Sequence, residues 1–203
     1  MKHAVIIAHP IHGSLTRSAG AAYAEAVRGF GHEAVVRDLY AMEFDPCLHA
    51  EEIPHLKMPN FRTDVVQERA LLQHVDVFAF VYPFWFNAPP AILKGYVDRV
   101  FSTGFGFAPA VGGTEPLLDG RKLISFSFSG APDYWVQDTG ALTGLVSMFD
   151  RHLARMCGLQ LVDHVHTGGI APNMRDDAVE QVLDHVREVV AACFGPGAGL
   201  TPS

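Results

Sequence analysis

Three short stretches carry side chains able to bind or react, and each precedes a helical pattern. The first is HPIHGSLT, His9 to Thr16. Its imidazoles and hydroxyls run into a helix start, where unpaired backbone N–H groups and the positive end of the helix dipole favour an anion. Ser14 or Thr16 can equally serve as a plain helix cap. Neither GxGxxG nor the Walker A pattern is present, so this is not a dinucleotide or P-loop fingerprint. The second stretch is YPFWFN, Tyr82 to Asn87, followed by Pro89 and Pro90. Aromatics that dense can wall a flat heterocycle while the prolines stiffen the turn, or they can be core or subunit-interface residues. The third is SFSGAPDYW, Ser127 to Trp135, whose small residues permit close backbone approach and whose Tyr134 is a candidate donor. It lacks the GxSxG of a nucleophile elbow, which argues against acyl hydrolysis. His9-x2-His12 and His164-x-His166 raise metal chemistry as a rival. No carboxylate or cysteine stands at usual ligand spacing beside either pair, so no metal site is expected.

The elements that must position these loops alternate strand and helix five times. HAVIIAH (3–9), EAVVRDLY, DVFAFVYP, RKLISFSFS and QLVDHVHT read as strands, the first a continuous apolar run of the kind covered on both faces. Between them fall a helix with Leu15, Ala19, Ala22 and Ala26 on one face, ended by Gly29 or Gly31, and a helix from Thr63 or Asp64 to near His74. A third is capped by Asn87 with both prolines in its first turn, and a fourth opens at Asp138 or Thr139 and is stopped by Gly158. A long loop, 41–62, follows the second strand, and Asp176 to Cys193 forms a last helix. The pattern predicts an α/β, flavodoxin-like open five-stranded parallel sheet in the order 2-1-3-4-5, helices on both faces and crossovers right-handed. Ligands then sit at the carboxyl ends of the strands, beside the switch point between strands one and three. One domain is expected over 1–194, with Gly195–Ser203 (GPGAGLTPS) an unpacked tail.

Composition narrows the function. The chain has 203 residues and a net charge of −7, which argues against nucleic-acid binding because no basic stripe is available. Cys47, Cys157 and Cys193 are odd in number and far apart, without a CxxC pair. That favours a reducing, cytoplasmic setting over a disulfide framework. The opening apolar run is too short for a signal peptide or anchor, and no segment reaches the ~18–20 apolar residues of a membrane span.

Taken together the loops resemble the NAD(P)H:quinone oxidoreductase family of flavoproteins, the DT-diaphorase-like proteins. AHPIHGSLT resembles that family's opening loop, RDLYAMEFDPCL its DLYxxxFDPxL element, and YPFWFNAPPAILKGYVDRVF its aromatic turn and PAILKG helix start. The resemblance covers roughly residues 3–135. It implies a bound flavin, FAD with FMN as the alternative, its pyrophosphate held by His9, Ser14, Leu15 and Thr16. It implies an isoalloxazine ring against Pro83, Phe84, Trp85 and Phe86, with a second edge against Ser127, Phe128, Ser129 and Gly130. Relatives often show Thr-Thr-Gly-Gly at this last position. Tyr134, with Trp135 an equally close alignment, and the backbone N–H near Gly130 would stabilise charge on the reduced ring; the His that follows in well-known members is missing from VQDTGALT. The implied activity is ping-pong, two-electron hydride transfer from NADH or NADPH, through the flavin, to a quinone or other flat acceptor. A homodimer is implied as well. The alternative that the resemblance carries is a flavin-binding ancillary subunit of a potassium-efflux transporter.

Overall fold

The computed structural model describes residues 1–53 and 59–198. Five parallel strands form its central sheet: β1 (Lys2–Ile7), β2 (Glu33–Asp38), β3 (Val77–Pro83), β6 (Lys122–Phe128) and β7 (Gln160–Thr167), in the order β2-β1-β3-β6-β7. This is the expected order, with β6 and β7 as the fourth and fifth strands. All seven residues of β3 are buried because helices cover both faces of the sheet, which is why its sequence does not alternate.

Successive side chains point to opposite faces and feed two cores. On one face Ala4, Ile6, Phe78 and Phe80 pack with Leu93, Tyr96 and Val100 of α3 (Ala91–Val100). On the other, Val5, Val77, Ala79 and Phe126 meet α1 (Leu15–Gly29) and α7 (Asp176–Phe194) through Tyr23, Val27, Val186 and Val190.

The long loop after β2 is clasped from beneath by Arg99 of α3, a fully buried guanidinium. It donates to Glu52 (2.8 Å), to Asp64 at the start of α2 (Thr63–Leu72) (2.7 Å) and to the carbonyl of Asp45 (2.7 Å). A Cβ on Gly95 would lie 2.1 Å from the Pro46 carbonyl oxygen, so α3 can lie against this loop only with glycine there. The DPCL and PAILKG runs thus belong to one packed joint.

Several expectations are corrected. Asn87 does not cap α3; Pro90 occupies the N-cap, and Asn87 sits in the preceding turn at φ 56°. The helix expected to start at Asp138 or Thr139 is divided. A separate α4 (Asp133–Asp138) precedes it, Gly140 turns the chain at φ 71°, and α5 (Ala141–Leu145) passes through a π-helical stretch at Val146–Arg151 into α6 (His152–Cys157). α2 ends at Leu72, near His74 as expected. A hairpin absent from the sequence reading, β4 (Phe107–Ala110) with β5 (Gly113–Pro116), lies between α3 and β6. Gly195 to Ala198 form a turn; the remainder of the expected tail, 199–203, lies outside the described residues, as do 54–58 of the long loop. Among the described residues no helix is long and apolar enough to cross a membrane.

Candidate active site at the strand ends

The loops leaving β1, β3, β6 and β7 meet over the carboxyl ends of the strands, around a cleft of about 560 Å³. The first loop enters α1 through Ser14, whose hydroxyl accepts from the N–H of Arg17 at 3.3 Å. Ser14 is therefore a helix cap and also lines the cleft, as do Leu15 and Thr16, whose own N–H groups have no acceptor inside the helix. His9 stands beside them. Its Nδ1 accepts from the N–H of Ile11 at 3.1 Å, which places the proton of the neutral ring on Nε2. Burial lowers its pKa and Arg17 adds to the lowering, so His9 offers a neutral N–H donor near pH 7.

The second loop is a tight turn closed by paired backbone bonds between Trp85 and Ala88 (3.1 and 3.0 Å). Phe86 and Asn87, its central residues, both have positive φ (49° and 56°), the pattern of a type I′ turn. That geometry separates the aromatics. Tyr82 and Phe84 are buried, Trp85 is half-exposed and lines the cleft with Pro83, and Phe86 is wholly exposed. Trp85 tilts against His9, ring centroids 5.7 Å apart.

The third loop divides similarly. Phe128, Ser129 and Gly130 line the cleft, while Ser127 is fully buried, its hydroxyl between His164 (2.7 Å) and His166 (2.8 Å). Ser129 and Gly130 also border a second cleft of about 400 Å³, walled by Phe84, Phe86 and Trp135. Tyr134 is 68% exposed and lines neither of these clefts. His164 and His166 lie side by side but are bridged by Ser127, and among the described residues no group of three or more potential ligands could hold a metal ion.

A fourth wall was missed from sequence: Ile170, Ala171, Pro172 and Met174 after β7, with Val179 of α7. The rule that ligands gather at strand ends applied to QLVDHVHT as well, but the loop behind it contains no residue type that advertises chemistry. The β6 and β7 loops are locked together by the Asp133 carboxylate, which accepts from the Gly168 N–H at 2.6 Å. A Cβ on Gly168 would sit 2.5 Å from the Ala131 carbonyl oxygen, so the lock needs glycine.

An open parallel sheet whose strand-end loops close on one cleft beside the β1/β3 switch point defines a doubly wound α/β protein of the ligand-binding kind. The chain belongs to the flavodoxin-like fold family, whose profile matches residues 1–190. It is 32% identical over 187 residues to an uncharacterized NAD(P)H oxidoreductase of Haemophilus influenzae, covering 90% of each chain. It is 26% identical over 220 residues to NAD(P)H dehydrogenase (quinone) 1 of Cavia porcellus, covering 96% of this chain and 80% of that one. Among solved structures, the NAD(P)H:quinone oxidoreductase of Methanothermobacter marburgensis superposes with a TM-score of 0.84 at 27% identity, covering 94% of this chain and 97% of the other.

Proposed function

We propose that this chain is a flavin-dependent NAD(P)H dehydrogenase acting on quinones, with the flavin in the larger cleft. The reading rests on one observation above all: the open N-terminus of α1, the indole of Trp85 and the Ser129–Gly130 backbone face a single cavity. Such a cavity suits a ligand with an anionic tail and a flat, polar-edged ring. The three relatives named above, each an oxidoreductase or dehydrogenase by name, support it. The site falls within one domain spanning residues 1–194.

The residues present fit such a group. Leu15 and Thr16 N–H with His9 Nε2–H would receive the phosphate end, Trp85 and Phe128 would wall the ring, and the backbone of Ser129 and Gly130 would border its polar edge; all of these residues line the larger cleft. When bound, the ring supplies two-electron hydride chemistry between a reduced nicotinamide and a flat, electron-poor acceptor. The chain orients the two partners in turn. Backbone donors fixed before the reaction hold the developing negative charge without reorganising. The second cleft, aromatic and adjoining Ser129 and Gly130, receives the acceptor. FAD is proposed over FMN on the resemblance of the His9–Thr16 loop to the FAD-binding members of the family; Ser18, Met174 and Val179 also line the larger cleft. Two copies are proposed to pair through the exposed aromatics around Phe86.

The test is the visible spectrum. A yellow protein, bleached by NADH or NADPH and recoloured by a quinone, is expected, with mass spectrometry of the extracted cofactor separating FAD from FMN. A chain that stays colourless after incubation with both flavins overturns the reading.

A further inference from the structure

Beneath the cleft lies an unbroken row of side-chain hydrogen bonds. It starts at Asp150, fully buried in the π-helical stretch, whose Oδ1 accepts from Ser125 at 2.5 Å and whose Oδ2 meets His164 Nδ1 at 2.6 Å. The His164 side chain is only 2% exposed. Its Nε2 lies 2.7 Å from Ser127 Oγ, which lies 2.8 Å from His166 Nδ1. His166 Nε2 in turn lies 3.0 Å from Ser129 Oγ, at the border of both clefts. We propose that Asp150, His164, Ser127, His166 and Ser129 form a proton relay that stores one proton on the buried pair and hands it to the cleft at Ser129.

Two proton patterns satisfy the row. In the first, Ser129 donates to the Ala131 carbonyl (2.9 Å) and accepts from His166 Nε2. His166 Nδ1 then accepts from Ser127, and Ser127 accepts from His164 Nε2. His164 carries both protons, a cation against ionised Asp150. In the second, the Ser129 proton has left for the cleft and every bond has moved one place. Ser129 donates to His166 Nε2, His166 Nδ1 donates to Ser127, Ser127 donates to His164 Nε2, and His164 is neutral. One proton departs, one charge is lost at His164, and His166 changes tautomer without changing charge.

The proposal rests on the quinone-reductase reading for its use. Hydride supplies two electrons and one hydrogen to a quinone, and the hydroquinone needs one proton more, which the relay delivers. Other groups facing the row are few. Among the described residues the buried Tyr82 hydroxyl of β3, near Asp150, has no partner of hydrogen-bond geometry, Asp133 of α4 faces His166, and Asp163 of β7 accepts from the His164 backbone N–H. Burial lowers the His166 pKa, which Asp133 opposes and His164 reinforces, in keeping with a ring that passes protons while staying neutral.

Nitrogen-15 NMR of the imidazoles in flavin-free protein, titrated across the histidine range of about pH 5 to 9, reads the relay directly. The His166 proton should move from Nε2 to Nδ1 when the row gives up its proton. Ser127→Ala should uncouple the two rings, and Ser127→Thr should restore the coupling. In flavin-loaded enzyme, Ser127→Ala should slow acceptor reduction roughly tenfold, short of the ~10²-fold of a closed general-acid site because water enters an open cleft. A single His166 tautomer throughout the titration, or acceptor reduction at the wild-type rate in Ser127→Ala, overturns the proposal. A chain that takes no flavin defeats the flavin reading alone, since the tautomer switch is read without it.

Discussion

Phe86 combines two costs that a residue serving only the fold would avoid. A non-glycine residue in the left-handed region carries about 1–2 kcal/mol of strain, and the phenyl ring is wholly exposed. The turn that imposes this also turns Trp85 toward one cleft and Phe86 toward the other, so the strain is tied to how the aromatics are shared between two sites. Trp135, which faces Phe84 and Phe86 across the second cleft, is then the residue to probe for acceptor binding, ahead of its neighbour Tyr134. Trp135→Ala should raise KM for a flat quinone about tenfold, the equivalent of ~1.4 kcal/mol of lost aromatic contact. Tyr134→Phe should stay within about twofold in kcat/KM, since most stabilisation at the ring edge falls to backbone donors. Steady-state kinetics of the two variants decides the matter, and the reverse ranking would give Tyr134 the role instead.

At the scale of elements, the strands were legible because complete burial writes them as unbroken apolar runs, and the functional loops because the strand-end rule says where to look. What escaped had physical causes. β4 and β5 are four residues each, contain Pro109 and Pro116, and are largely exposed, so they carry no burial pattern. The break at Gly140 fell in the first turn of the expected helix, where a glycine permits a positive φ without requiring one. His164 and His166 stand two apart on one strand, but Asp150 and Ser127 are 14 and 37 residues from His164, and only the fold brings them together. His3 was likewise unremarkable in HAVIIAH, yet β1 buries it completely against α1, where Nδ1 meets the Tyr23 hydroxyl at 2.9 Å and Nε2 meets His32 at 3.1 Å. Burial, reinforced by His32 and the N-terminal charge, depresses its pKa to about 3. The folded state thus refuses a proton that the unfolded chain accepts below about pH 6.5. The stabilisation is complete above that value and is lost as pH falls toward 3. Between pH 6.5 and 5 the loss should be about 2 kcal/mol, at ~1.4 kcal/mol per unit. Urea unfolding at pH 7 and 5 measures it; His3→Gln, which cannot titrate, should flatten the difference, and an undiminished slope in that variant would place the effect elsewhere.

For the whole molecule, charge and apolar surface make opposite demands. Each chain carries a net charge of −7, so two copies repel at long range. Yet Phe86, Trp135, Tyr134 and Met148 are all exposed, and Phe86, Trp135 and Met148 border two neighbouring hollows linked through Asn87. A pair held by that surface gains from apolar burial and loses to repulsion, and salt weakens only the second, because charges more than about 10 Å apart are screened at 0.1 M. Sedimentation should therefore find a dimer that tightens as salt rises from about 0.1 to 0.5 M, the reverse of an interface built on ion pairs. In the proposed pair, Phe86→Asp would remove an aromatic anchor and bring like charges together, a change of about 2 kcal/mol or more, enough to loosen association at least tenfold. Its folding stability should hardly fall, since the ring packs on nothing within its own chain and Asp tolerates positive φ better than Phe. A Phe86→Asp protein that remains dimeric at the wild-type concentration, or a wild-type dimer that salt dissociates, would move the contact to another face. The second cleft would then be completed by one chain, and acceptor binding would be independent of protein concentration.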